Sequence, residues 1–338
     1  MEVFGGLDVP MVAAPMAGGA STPALVAAVT RAGGLGFLAA GYRTAEETAA
    51  QIRELRSLTD APFGVNLFVP GPDTADPDTV AAYRARLEPE ARRLGVELGP
   101  ARWHDDAFAE KVDLLAADPV PVVSFTFGLP PRPAVTALHA AGSAVVVTVT
   151  TPEEARAAVE AGADALCVQG AQAGGHQGSF DDARERTEPL ERLLPAVRAA
   201  VDVPLIAAGG VTGAEEVRAV LAEGAIAAQL GTALLRTPES GASATHKDAL
   251  ADPRFTATAV TRAFSGRRAR GLVNRFLAEH DAQAPAAYPQ VHYLTGPVRA
   301  AAARAGDATT LHLWAGTGFR AARPLPAAEV VAEIAADL

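Results

Sequence analysis

Eight short β-branched or apolar runs recur along the chain, most of them followed by a helical pattern, and this alternation constrains the fold more than any other feature. The runs are MVAAPMAG from Met11, LGFLAAG from Leu35, FGVNLFV from Phe63, VVSFTFG from Val122, AVVVTV from Ala144, ALCVQG from Ala165, PLIAAGG from Pro204 and AIAAQLGTALL from Ala225. Strands joined by crossover helices pair in parallel. Eight such units predict an α/β fold of the closed (β/α)8, or TIM, type rather than an open sheet. Of the 338 residues 49% are apolar but only 5% aromatic, so the core is built mainly from Ala, Val and Leu, as helices packed on a parallel sheet require.

Four helices carry clear start signals. Thr22-Pro23, Thr44, Thr151-Pro152 and Thr212-Gly213 each place a hydroxyl at the expected N-cap, with carboxylates or proline in the first turn. Residues 70–119, rich in Pro, Asp and Arg, read as an insertion of extra helices packed outside the barrel. From Thr237 the alternation stops. The expected organisation is therefore a barrel over residues 1–236, a mostly helical subdomain inserted after the eighth strand over 237–312, and a return to the barrel over 313–338, where PLPAAEVVAEIAADL supplies a closing helix.

A formal charge of -10 argues against phosphate backbones and anionic membranes, which call for clustered Lys and Arg, so nucleic acid is not an expected partner. Cys167 is the single cysteine and sits in an apolar run, which excludes an intrachain disulfide and a cysteine-built zinc site. The segment MEVFGGLDVP has acidic residues and no basic stretch, so it does not read as a secretory signal, and the expected location is cytoplasmic. The long uncharged stretches are broken by Pro, Gly and His and do not read as membrane spans.

Chemistry concentrates at the predicted strand ends. The segment ALCVQGAQAGGHQGSF ends an apolar run in Gln169 and then sets His176 in a glycine-rich loop. That is how a barrel presents a base beside a flat ligand, although a turn whose histidine caps a carbonyl would look the same. Gly209-Gly210 after the seventh run and Gly231-Thr232 in the eighth fall where barrels commonly hold a phosphate on backbone N–H groups, with glycines serving packing as the alternative. Asn66, Gln169 and Gln229 interrupt apolar strands, and each offers the donor and acceptor that an isoalloxazine edge requires. Together they favour flavin mononucleotide over three separate structural amides. No metal site is expected.

In its ordered motifs the chain resembles the nitronate monooxygenase family, especially class I members: APMAGGASTPALVAAVTRAGGLGFLAAGY, FGVNLF, VQGAQAGGHQG, AAGG, QLGTALL, FSGRRARGLVN, YPQVHYLT and LWAGTG. The resemblance spans nearly the whole length. It implies non-covalent FMN contacted by Asn66, Gln169, Gly174, Gly210, Gln229, Leu230, Gly231 and Thr232, with His176 as the base, Met16 in the pocket, and Tyr288 or Tyr293 covering it. One departure stands out. Where the family usually has a histidine in a segment like SFHFG, this chain has Thr126, which donates a hydrogen bond but never carries charge. A pocket with less positive potential is expected, with Arg267 or Tyr288 as the other groups able to set substrate choice.

The implied reaction is oxidation of alkyl nitronates, and of nitroalkanes once His176 has taken the α-proton, by O2 to a carbonyl compound and nitrite. Two alternatives stay open at this level: an NAD(P)H-dependent FMN reductase of quinones or enoyl thioesters on the same barrel, and a flavin- or ligand-binding protein that has lost catalysis. Oligomeric state has no signature in the sequence.

Overall fold

The computed structural model describes residues 6–338; residues 1–5, the start of the segment read above as lacking a signal, lie outside the described residues. Eight parallel strands close a barrel, in the order β1 (Met11–Ala13), β2 (Leu35–Ala39), β3 (Phe63–Phe68), β4 (Val122–Thr126), β5 (Ala144–Val149), β6 (Ala165–Gln169), β8 (Leu205–Ala208) and β9 (Ala227–Leu230). All eight expected runs are barrel strands. Closure comes from β9 pairing with β1, where Val12 stands opposite Gln229.

Strand pleating sorts the side chains into two apolar layers. Val12, Leu35, Phe37, Val122, Val146, Cys167, Ile206 and Ala227 fill the barrel, while their neighbours, such as Leu38, Val147, Val168 and Leu230, pack outward on the helices. On the inward set four strands carry a polar residue near their C-terminal ends: Asn66, Thr148, Gln169 and Gln229. This parity delivers amides to the barrel mouth.

The caps follow the sequence in three of four cases. Thr22, Thr44 and Thr151 accept the Leu25, Glu47 and Glu154 N–H groups at the starts of α1 (Pro23–Arg31), α2 (Ala45–Leu58) and α6 (Pro152–Ala161). The fourth helix, α8 (Ala214–Ala222), is capped differently from the expectation. Gly213 occupies the cap and donates its N–H to Glu216 at 3.0 Å, while the Thr212 hydroxyl also turns to Glu216 at 3.3 Å. A first-turn carboxylate has taken over the cap.

The reading of residues 70–119 is corrected in part. They form α3 (Pro77–Arg93) and α4 (Phe108–Ala117), and α4 is the barrel's own crossover between β3 and β4, packed between α2 and α5 (Arg132–Ala140). Only α3 is additional. Val80, Tyr83 and Leu87 of α3 join Phe264, Phe276, Leu294 and Val298 in a separate core, and the Tyr83 hydroxyl donates to the Ala263 carbonyl at 2.7 Å. Arg275 fixes the same junction by gripping both oxygens of Glu90, at 2.5 and 2.8 Å.

Beyond β9 the chain forms α9 (Ala244–Ala249), α10 (Arg275–His280) and α11 (Gln290–Arg304), joined by long irregular stretches. It also contains β10 (Thr258–Thr261) and β11 (Ala269–Leu272), which the sequence pattern did not mark. They form an antiparallel sheet with β7 (Gly175–His176), in the order β10-β11-β7. Last, α12 (Ala327–Ala336) packs against α1 and α8 and completes the helix ring.

Close approach of α1 to β2 rests on Gly36, where an added Cβ would lie 2.8 Å from Val26 Cγ1 and 2.9 Å from the Val26 carbonyl. Gly36→Ala is therefore expected to destabilise the fold by about 1–3 kcal/mol through overpacking, read as an earlier midpoint of denaturant unfolding. An unchanged midpoint would mean that α1 is free to retreat.

Candidate active site

A cavity of about 490 Å3 opens at the C-terminal ends of the barrel strands, beneath the cover formed by the segment after β9. It gathers most of the residues singled out from sequence. From the barrel come Met16, Asn66, Thr126, Gln169 and Gln229; from the loops come Gly174, His176, Gly209, Gly210, Gly231 and Thr232. Leu230 is not among them, because pleat parity turns its side chain outward into the helix layer, fully buried. Tyr293 is also displaced, since it lines a smaller neighbouring cavity with Trp103, His104 and Asp106. Tyr288 borders that smaller cavity while its ring lies 5.7 Å from the His176 ring.

The glycine loops have the form an anion requires. Gly209 and Gly210 adopt φ of +106° and +80°, the left-handed region open chiefly to glycine, and a Cβ on Gly209 would strike the Gly170 carbonyl at 2.9 Å. Among the described residues no acceptor takes the backbone N–H groups of Gly209, Gly210, Gly231 or Thr232. The Thr232 hydroxyl accepts the Gly316 N–H at 3.0 Å, which leaves its own proton to donate. These donors converge without a lysine.

The amides divide between two tasks. Asn66 donates to Ser124 Oγ at 2.9 Å and to Thr126 Oγ1 at 3.0 Å, so Thr126 serves as an acceptor in the floor of the cavity. Gln169 spends both of its ends on the next loop, donating to the His176 carbonyl at 3.2 Å and accepting the Gly178 N–H at 2.7 Å. Its position was legible in sequence, but its work is to clamp the segment that carries His176. Gln229 contacts the Cys167 thiol, which burial pushes up to about 12.

His176 is held on every side. Its strand pairs with β11, Ala269 opposite His176, and Arg267 donates to the carbonyls of Gln177 and Ser179 while stacking on the Phe127 ring at 4.1 Å. The ring nitrogen Nε2 lies 2.8 Å from Ser265 Oγ, and the Trp314 ring is 5.5 Å away. Burial, reinforced by Arg267 and Arg299, pushes the imidazole down to about 3. The neutral form therefore dominates at physiological pH, as a proton acceptor requires.

Sequence reasoning passed over four further lining residues: His246, His292, His312 and Arg299. Two carried a signal. On α11 the positions 292, 296, 299, 300 and 303 form one helical stripe in which His292 and Arg299 stand among Gly296, Ala300 and Ala303, a small-residue face with two polar interruptions. Thr126 brings no charge to the cavity, but Arg299 supplies a cation from the cover. Burial lowers Arg299 only to about 10, so it stays cationic. Glu90, Glu279 and His280 form the one group of metal-ligand type among the described residues, and Arg275 and Arg93 already grip Glu90.

The family model described as nitronate monooxygenase matches residues 6–337. A nitronate monooxygenase from Pseudomonas aeruginosa is 44% identical over 98% of this chain and 97% of its own length. The solved nitroalkane oxidase of Streptomyces ansochromogenes superimposes with a TM-score of 0.97 at 53% identity, covering 100% of this chain and 98% of that one. FabK from Thermotoga maritima gives a TM-score of 0.78 at 26% identity, covering 99% and 95%.

Keeping these histidines neutral has a consequence for stability. Burial lowers His246 to about 4, whereas the unfolded chain protonates near the ordinary 6.5. Below that pH the unfolded state binds the extra proton, so folding stability falls as pH drops from about 6.5 toward 4, by about 1.4 kcal/mol per unit for each such histidine. Denaturant titrations from neutral pH down to about 4.5 should show a shallower decline for His246→Asn than for the parent. Identical slopes would place His246 in contact with solvent.

Proposed function

Because the chain belongs to the nitronate monooxygenase family, we propose that it is an FMN-dependent oxidoreductase that converts alkyl nitronates, and neutral nitroalkanes by way of them, into carbonyl compounds and nitrite with O2. Members of the family are generally flavin-dependent. The observation that carries the proposal is a neutral, half-buried His176 on the wall of a cavity that also presents the N–H groups of Gly209, Gly210, Gly231 and Thr232.

The residues fit the cofactor. One anion-shaped cradle suits the single phosphate of FMN, and Asn66 and Gln229 bring their amides to the same cavity. Met16 lines its edge, while Gln169 contributes through the loop it clamps. Held there, FMN would supply the one-electron oxidation of the nitronate, with O2 as the oxidant that carries the conversion to carbonyl compound and nitrite.

The remaining steps belong to the chain. A neutral nitroalkane must lose its α-proton first, and the His176 imidazole takes it, leaving a nitronate and an imidazolium. Ser265 fixes the ring through Nε2, and Gln169, Arg267 and β11 fix its backbone. Tyr288 closes the wall beside His176, and its hydroxyl donates to the Tyr42 hydroxyl at 3.1 Å. We assign residues 1–236 to the barrel, 237–312 to the cover and 313–338 to the return. No helix among the described residues is long and apolar enough to cross a membrane, and we place the enzyme, with its buried lone cysteine, in the cytoplasm.

Denaturing the purified protein and chromatographing the released cofactor is expected to yield FMN at about one per chain, as a single phosphate cradle implies. In the same preparation, anaerobic addition of an alkyl nitronate should bleach the flavin while NADH leaves it oxidised. Release of FAD, or bleaching by NADH with indifference to nitronate, would overturn the reading in favour of a different flavoprotein or an NAD(P)H-dependent reductase.

A further inference from the structure

Among the described residues Arg299 is the one arginine or lysine that lines the cavity. It reaches the cavity from α11 and is half-buried there. Its Nε donates to Thr295 Oγ1 at 3.0 Å, and Nη2 donates to the His292 carbonyl at 2.7 Å and approaches His292 Nδ1 at 3.3 Å. Nη1 has only a long approach to His312 Nε2, at 3.5 Å, so part of the guanidinium fork is unspent.

No carboxylate among the described residues balances this charge. Arg275 and Arg93 grip Glu90, Arg262 grips Asp182, and Arg186 meets Glu154, whereas Arg270 and Arg236 turn to carbonyl or hydroxyl partners away from the cavity lining. Arg267 also lacks a direct ion pair, but its donors go to the Gln177 and Ser179 carbonyls and its face to Phe127. Beside Arg299, the Nδ1 atom of His312 is buried and unpartnered. A guanidinium taken from water without a counter-charge is costly to keep, and an anion arriving with the ligand removes that cost.

We propose that Arg299, with His292 and His312 beside it, forms an oxyanion subsite in the cover that takes a planar two-oxygen anion of the substrate, either the nitronate O–N–O or a carboxylate. The fork geometry of guanidinium matches both groups. The inference rests on the proposed reaction and extends it. As His176 takes the α-proton, negative charge develops on the nitro oxygens, and Arg299 offers a cation on the same cavity to meet it.

The test uses the flavin-loaded enzyme and its Arg299→Gln and Arg299→Lys variants. Calorimetry with propionate, a carboxylate that undergoes no reaction, is expected to show at least tenfold weaker binding to Arg299→Gln, with part of the affinity regained in Arg299→Lys, as loss of a charge-assisted hydrogen bond implies. In steady state, KM should rise more than kcat falls, and the ratio of kcat/KM for anionic over neutral substrates should drop about tenfold or more. A drop confined to propionate 3-nitronate assigns the subsite to carboxylates; a drop that includes ethyl nitronate against nitroethane assigns it to the nitronate. If the Gln variant does not fold, the same ordering in Arg299→Lys carries the test. Unchanged propionate binding and substrate ratios overturn the proposal, and so does release of FMN as the only effect, since the anion held would then be the cofactor's phosphate. Parent enzyme inert to nitronates that still binds propionate through Arg299 would overturn the proposed reaction and leave the subsite standing.

Discussion

Two residues of the loop after β6 pair, antiparallel, with a strand drawn from beyond β9, and through that pairing the barrel and its cover share one small sheet. Gly175 and His176 are the barrel's contribution, with Arg270 and Ala269 opposite them. A histidine on a glycine-rich loop would otherwise sample many orientations and lose backbone entropy on every productive encounter. Here the ladder fixes its main chain, both ends of the Gln169 amide fix the loop on either side, and Ser265 fixes the ring. Ser265 and Arg267 lie in the same cover segment as β11. Base, ring partner and backbone support are thus set by a single docking event between cover and barrel.

That docking also determines the electrostatics. The cover removes His176 from water and brings Arg267 and Arg299 near it, and all three effects favour the neutral imidazole. A base poised in this way accepts a proton readily only if the resulting anion is stabilised in the same cavity, since the imidazolium would otherwise stand among other cations. Under the proposed reaction substrate charge and protein charge are complementary, because the proton would move to His176 while the negative charge left behind would meet cationic surroundings. The chain carries a net charge of -10, so this local excess of positive charge runs against its average.

Local signals were legible in the sequence, and contacts between distant segments were not. All eight barrel strands could be read because each is a continuous apolar run, and Thr22, Thr44 and Thr151 could be read because a cap bonds within its own first turn. β7 escaped notice because it is two residues long and its partner lies about ninety residues away in sequence. α3 was separated correctly from the barrel pattern, but nothing local revealed that its apolar face belongs to the cover. The cavity residues expected from motifs mostly converge, with two instructive exceptions. Leu230 follows the inward-facing Gln229 and so must face outward, a parity that strand alternation alone would have supplied. Tyr293 turns to a neighbouring cavity while His292, one residue earlier, takes the place by the site. Arg299 was overlooked because a lone arginine on a helix reads as surface charge until the opposing wall is known.

The central claim is that His176 serves as a base needed only when a proton must be removed. The most direct measurement compares kcat/KM of the parent and His176→Asn, each with full flavin content, for nitroethane and for preformed ethyl nitronate. The account requires a fall of about a hundredfold to ten-thousandfold with nitroethane and a far smaller one with the nitronate. Equal losses with both substrates would contradict it and would assign His176 to substrate positioning instead.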